Sequence, residues 1–81
     1  MSISSIDIEI DREADAGYIR LLGDPVERTE SVTDEVNVDL DRQGRVVGIE
    51  VLSLGAEVPF ELLIQQFGVP SDVVGAWQLR Y

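Results

Sequence analysis

The chain has 81 residues and a mass of 9.0 kDa, a size that buries only roughly 60–65% of the unfolded surface and leaves little depth for a catalytic cleft. It is 44% hydrophobic and 27% charged, which is globular rather than disordered, and no apolar run approaches the roughly 18 residues that a membrane-spanning helix needs. Sixteen acids face six arginines and no lysine, for a net charge of −10. That is the wrong sign for a surface that gains affinity by neutralising phosphates, and the lack of cysteine and histidine removes disulfides, thiolate nucleophiles, histidine triads and the usual zinc sites.

Residues 1–5 carry none of the basic segment, apolar segment or small-residue cleavage site of a secretory signal, so the expected location is the cytoplasm. From Ile6 the pattern alternates: Ile6, Ile8 and Ile10 share one face and Asp7, Glu9 and Asp11 the other, the period of a half-buried strand. After the turn Arg12-Glu13-Ala14-Asp15, a second strand continues the apolar face through Gly17, Ile19 and Leu21, with Tyr18 and Arg20 opposite, until Gly23-Asp24-Pro25 breaks it. Residues 26–33 are mostly polar on both faces, a weaker and edge-like strand candidate. Val36, Val38 and Leu40 then alternate with Asn37, Asp39 and Asp41. Past the loop Asp41-Arg42-Gln43-Gly44 the apolar positions resume as Val47, Ile49 and Val51, a β-hairpin with a Gly-ended turn. The strands make one antiparallel sheet, buried on one side.

Near Ser53 the period changes. Phe60, Leu63, Ile64 and Phe67 form a helical stripe introduced by Pro59 and closed by Gly68. A second helix runs from Ser71 or Asp72 as N-cap through Val73, Val74, Trp77 and Tyr81, interrupted by Gly75. The expectation is a single α+β domain over residues 1–81. Residues 1–52 form a small antiparallel β-meander of four or five strands, and residues 53–81 form one or two helices packed on its aliphatic face.

The segment Asp11-Arg12-Glu13-Ala14-Asp15-Ala16-Gly17-Tyr18-Ile19-Arg20-Leu21 resembles the signature of the domain of unknown function 2283 family, small bacterial and archaeal proteins. Val26-Glu27-Arg28-Thr29-Glu30, Val38-Asp39-Leu40-Asp41 and Gly44-Arg45-Val46-Val47-Gly48-Ile49-Glu50-Val51-Leu52 are similar to the rest of its pattern, so the likeness covers about residues 6–52. Ile10 departs from it, standing where members often carry tyrosine. The resemblance implies a compact sheet domain with no established activity and supplies no catalytic residues.

The residues themselves suggest a few constellations. The ladder Asp7, Glu9, Asp11, Glu13 and Asp15 spreads its carboxylates instead of converging them on a cation, and it reads as the solvated face of a strand and turn. With Asp39 as position one, Asp41 falls at three, Gln43 at five, Gly44 at six and Glu50 at twelve, close to the spacing of an EF-hand calcium loop. Position five wants Asp or Asn and the flanks should be helices, so the hairpin is the preferred reading. There Gly44 takes a positive φ and Glu50 belongs to the outer face. No metal or cofactor is expected. Tyr18 and Arg20 share the outer face opposite acids, either as part of a cross-strand ion pair or as anchors for a partner, and Trp77 is a third candidate anchor.

The run from Leu63 to Trp77, with its Gly turn and capped second helix, has the pattern of a helix-turn-helix. Its second helix offers Asp72 near the start and Arg80 near the end, with no lysine to contact phosphate, so nucleic acid is not the expected partner. Ser53 and Ser71 have no histidine or lysine base, and no carboxylate pair is placed around a cleft. The expected role is a non-enzymatic interaction module, homodimeric because Val46, Leu52, Leu54, Trp77 and Leu79 remain over for a partner to bury. The alternative is an acidic, antitoxin-like partner of a basic protein, acting by charge or through a C-terminal helix-turn-helix.

Overall fold

A computed structural model describes residues 6–80. Strands β1 (Asp7–Asp11), β2 (Ala16–Arg20), β3 (Arg28–Thr33), β4 (Val36–Leu40) and β5 (Val46–Val51) precede helices α1 (Phe60–Phe67) and α2 (Asp72–Arg80). Residues 1–5 and Tyr81, the expected end of the second helical stripe, lie outside the described residues. The strands form one sheet in the order β1-β2-β5-β4-β3, antiparallel at every pairing. The chain is thus α+β, with the sheet meandering in two runs, β1–β2 and β3–β4–β5. The second run folds back so that β5, not β3, lies beside β2. Burial explains the choice: β5 is buried at every position except Glu50, which suits the centre, while β3 has no fully buried residue and takes an edge.

The return is made by residues 21–27. The N–H groups of Leu21 and Leu22 donate to the Val47 carbonyl at 2.7 and 3.1 Å, and Glu27 N–H reaches the Leu40 carbonyl at 2.7 Å. Arg45 fixes the crossing: its Nη2 donates to Asp24 at 2.7 Å and its Nε to Asp41 at 2.9 Å, so the β4–β5 loop holds the connection that passes it.

On the inner face the aliphatic residues align in rows. Ile8, Ile19, Ile49 and Val38 stand opposite one another across four strands, as do Ile10, Gly17, Val51 and Val36. The gap at Gly17 is filled by Trp77, since a β-carbon there would come 2.8 Å from the indole Cη2. Trp77 is 6% exposed. The expectation of a surface anchor is therefore corrected: its indole belongs to the core because Gly17 leaves it room against the sheet. Val46 and Leu54 are likewise buried and need no partner, whereas Leu52 (50%) and Leu79 (88%) remain exposed.

Simple alternation puts Val47, Ile49 and Val51 inward, but the β4–β5 register shifts at Asp39/Leu40, where Leu40 pairs with Val46 and Asp39 with Gly48. Val47 is the extra residue of a bulge, and Val46 takes its place in the core cluster. Beneath the sheet α1 ends at Gly68, whose φ of 71° is left-handed, and Val69 N–H returns to the Leu63 carbonyl at 3.2 Å. Leu63 is fully buried, with Phe60, Ile64 and Phe67 half-buried around it. In α2 the pair Val73 and Trp77 faces the core despite Gly75, with Asp72 in the first turn and Arg80 in the last suiting the helix dipole.

Candidate functional site

The outer face of the sheet carries the polar residues that alternation turns away from the helices. At its centre Tyr18 on β2 stands opposite Glu9 and Glu50, and its hydroxyl donates to Asp39 Oδ2 on β4 at 2.9 Å. To reach it the ring must lie across β5, and Gly48 makes that path: a β-carbon there would overlap the Tyr18 hydroxyl and ring. The other Asp39 oxygen accepts from the Thr29 hydroxyl on β3, so Asp39, 6% exposed, is a buried carboxylate with both oxygens engaged. Asn37 on β4 donates to Glu50 on β5 at 3.4 Å. The Arg20 guanidinium lies over the Tyr18 ring, 5.5 Å from its centroid. The ion pairs among the described residues are Arg28–Glu30, Arg45–Asp24 and Arg45–Asp41, so the expected cross-strand ion pair of Arg20 is replaced by a stack on its own strand neighbour.

Burial first, then the Asp39 carboxylate that accepts its hydrogen bond, pushes the Tyr18 hydroxyl from 10.0 up to about 12. A raised acid holds its proton in the folded state after the unfolded chain has lost it. The stabilisation from Tyr18 is therefore whole below about pH 10 and disappears as pH rises toward 12. Ultraviolet difference spectra of the folded protein, which has a second tyrosine at position 81, should contain a tyrosinate step near pH 12, and Tyr18→Phe should lose that late step and flatten the alkaline fall in stability. Wild-type spectra with no step above the ordinary tyrosine value would break the link between ring burial and Asp39.

Of the calcium-spaced residues, Asp39 is committed to Tyr18 and Thr29, and Glu50 accepts from Asn37. Asp41 organises the loop. Its Oδ1 accepts from the N–H groups of Gln43 and Arg45 at 2.9 and 2.8 Å and its Oδ2 from Arg45 Nε, while Gly44 takes a φ of 82°. Desolvation works to raise the Asp41 carboxyl, but the hydrogen bonds and charge of Arg45 outweigh it and hold the group below its ordinary 3.8. Gln43 turns its side-chain oxygen toward Arg45 at 3.4 Å. Among the described residues no group of three or more acids gathers as a metal site, and Asp39, Asp41, Gln43 and Glu50 serve a hairpin.

At the β1–β2 end of the same face lies a shallow cleft of about 690 Å³, lined by Glu9, Asp11, Glu13, Tyr18, Glu50 and Leu52 among others. In the adjoining β1–β2 turn stands Asp15, whose φ of 57° is left-handed and whose carboxylate accepts from Leu54 N–H at 3.2 Å and from the Ser53 hydroxyl at 3.3 Å. The β1–β2 turn is thereby tied to the segment leading into α1. Sequence reasoning found Tyr18 and Arg20 but missed Thr29 and Gly48. The one available signal was a glycine in the middle of Val46-Val47-Gly48-Ile49, where a strand interior gives up a side chain only for a close approach.

The family described as Protein of unknown function (DUF2283) matches residues 7–54, which cover all five strands and end before α1. No curated protein and no solved structure gives a significant match.

Proposed function

Since the chain belongs to the DUF2283 family, whose description gives no function, we propose from its surfaces that it is a non-enzymatic protein-interaction module, acting in the cytoplasm as a homodimer. The observation that carries this reading is the openness of the sheet: helices cover one face, while β1 and β3 each have a single neighbour. A domain of 81 residues gains by covering such edges with a second copy. The buried acids support the non-enzymatic part. Asp39 and Asp41 have both oxygens engaged in hydrogen bonds that hold the sheet and a loop, which leaves neither poised to move a proton for a substrate. Sedimentation velocity at micromolar concentration should give twice the 9.0 kDa chain mass; a monomer mass throughout would overturn the homodimer.

A second reading has its own observation. Glu9, Asp11, Glu13 and Glu50 surround Tyr18 and the half-exposed Leu52 at the cleft, which suits docking of a basic protein by an antitoxin-like partner. Such an association is fast and weakens with salt, and it predicts a basic protein co-purifying from the native host. Duplex DNA as a partner of α1 and α2 has less behind it: α2 turns Val73 and Trp77 into the core and carries Arg80 alone as a basic residue.

A further inference from the structure

The self-association just proposed leaves open which part of the surface is shared, and the two sheet edges differ sharply in what they present to a copy of themselves. On β1 the side chains of one face are Asp7, Glu9 and Asp11, and all three are exposed. Antiparallel pairing of two β1 strands about Glu9 sets Asp7 opposite Asp11 at both ends and Glu9 opposite Glu9, so every outer pair is a like-charge pair. The acids blunt that edge.

β3 is the reverse case. Its sequence Arg-Thr-Glu-Ser-Val-Thr is exposed at Arg28, Thr29 and Ser31, and its register with β4 is regular from Arg28 to Ser31, with the bulge confined to Ser31/Thr33. Two such strands placed antiparallel about Thr29 set Arg28 opposite Glu30 of the second copy, and Glu30 opposite its Arg28. Residues directly opposite share a face in an antiparallel pair. Arg28 and Glu30 do share one, since they pair with Leu40 and Val38 respectively. The two groups already meet within one strand, Arg28 Nε to Glu30 Oε2 at 3.0 Å, with side chains 53% and 44% exposed, so exchange onto a second copy keeps each cation beside an anion.

We propose that the chain dimerises by antiparallel pairing of β3 with β3 of a second copy about Thr29, through reciprocal Arg28–Glu30 contacts, to give one continuous sheet with the helices of both copies on one side and the acidic faces on the other. The symmetry is closed, so the assembly stops at two chains.

Charge reversal tests this, because both side chains are exposed and their replacement leaves the core untouched. Glu30→Arg puts arginine opposite arginine, and Arg28→Glu puts acid opposite acid. Each alone should weaken the dimer at least about tenfold by sedimentation equilibrium. A one-to-one mixture of the two should recover the dimer mass, as a heterodimer, and the double reversal Arg28→Glu/Glu30→Arg should dimerise with itself. Thermal melts of each variant monitor folding, and the double reversal keeps the question answerable if a single variant is unstable. If the wild type is a dimer that both single reversals leave intact, the β3 interface is overturned while self-association stands. If the wild type is a monomer, or forms open polymers, both fall.

Discussion

Replacing Trp77 with alanine should lower the free energy of unfolding by about 3–5 kcal/mol. It is the largest single loss expected in the chain. Trp77 is the only tryptophan, 6% exposed, and its indole fills the place of the side chain that Gly17 lacks. Its removal opens a cavity over the row Ile10, Gly17, Val51 and Val36, and it also unfastens α2 from β1 and β2. A domain of this length has roughly 4–12 kcal/mol of total stability, so the loss removes from about a quarter to all of it. Urea denaturation followed by backbone circular dichroism measures it. A loss below about 1 kcal/mol would mean that the indole is not a core element. Trp77→Phe should lie between, since most of the apolar contact survives.

The Gly48→Ala substitution should cost about 2–3 kcal/mol, against the usual expectation that alanine stabilises a strand relative to glycine by about 0.5–1 kcal/mol. The sign reverses because the new methyl occupies space that Tyr18 holds. The ring must swing off β5, which breaks its hydrogen bond to Asp39 and leaves a buried carboxylate with Thr29 as its remaining side-chain donor. A double-mutant cycle isolates this cause. In a Tyr18→Ala background the same Gly48→Ala change should be neutral or mildly stabilising, for a coupling energy of about 2 kcal/mol or more between positions 30 residues apart in sequence. Equal costs in both backgrounds would show that the glycine is needed for its own backbone and not for the ring.

Elements whose signals lie close together in the chain were readable. The β4–β5 hairpin, with Gly44 at a φ of 82°, and α1, from Phe60 to a left-handed Gly68, follow from local periodicity and turn chemistry. The polar faces of residues 26–33 placed β3 at an edge, and β3 is the last strand of the sheet. What stayed hidden depends on partners brought together only by folding. Nothing near Trp77 in sequence says that Gly17 awaits it, and alternation carries Val47 into the core until the bulge beside Asp39 exchanges it for Val46. The site was half legible for the same reason. Tyr18 announces itself by residue type and face, but its partner Asp39 is 21 residues away on a strand that is not its neighbour, and alternation says of Asp39 only that it faces away from Val38 and Leu40.

The position of β5 has a temporal meaning as well. β1 pairs only with β2 and β3 only with β4, so the hairpins of the first half of the sequence share no backbone pairing until Val46–Val51 is made and slots between β2 and β4. Loop closure over that distance is what slows folding when contacts are non-local. A chain that reaches only Leu40 can pair β1 with β2 and β3 with β4 but has no strand to join the two ribbons, and Val46–Val51 is what turns them into one cooperative unit.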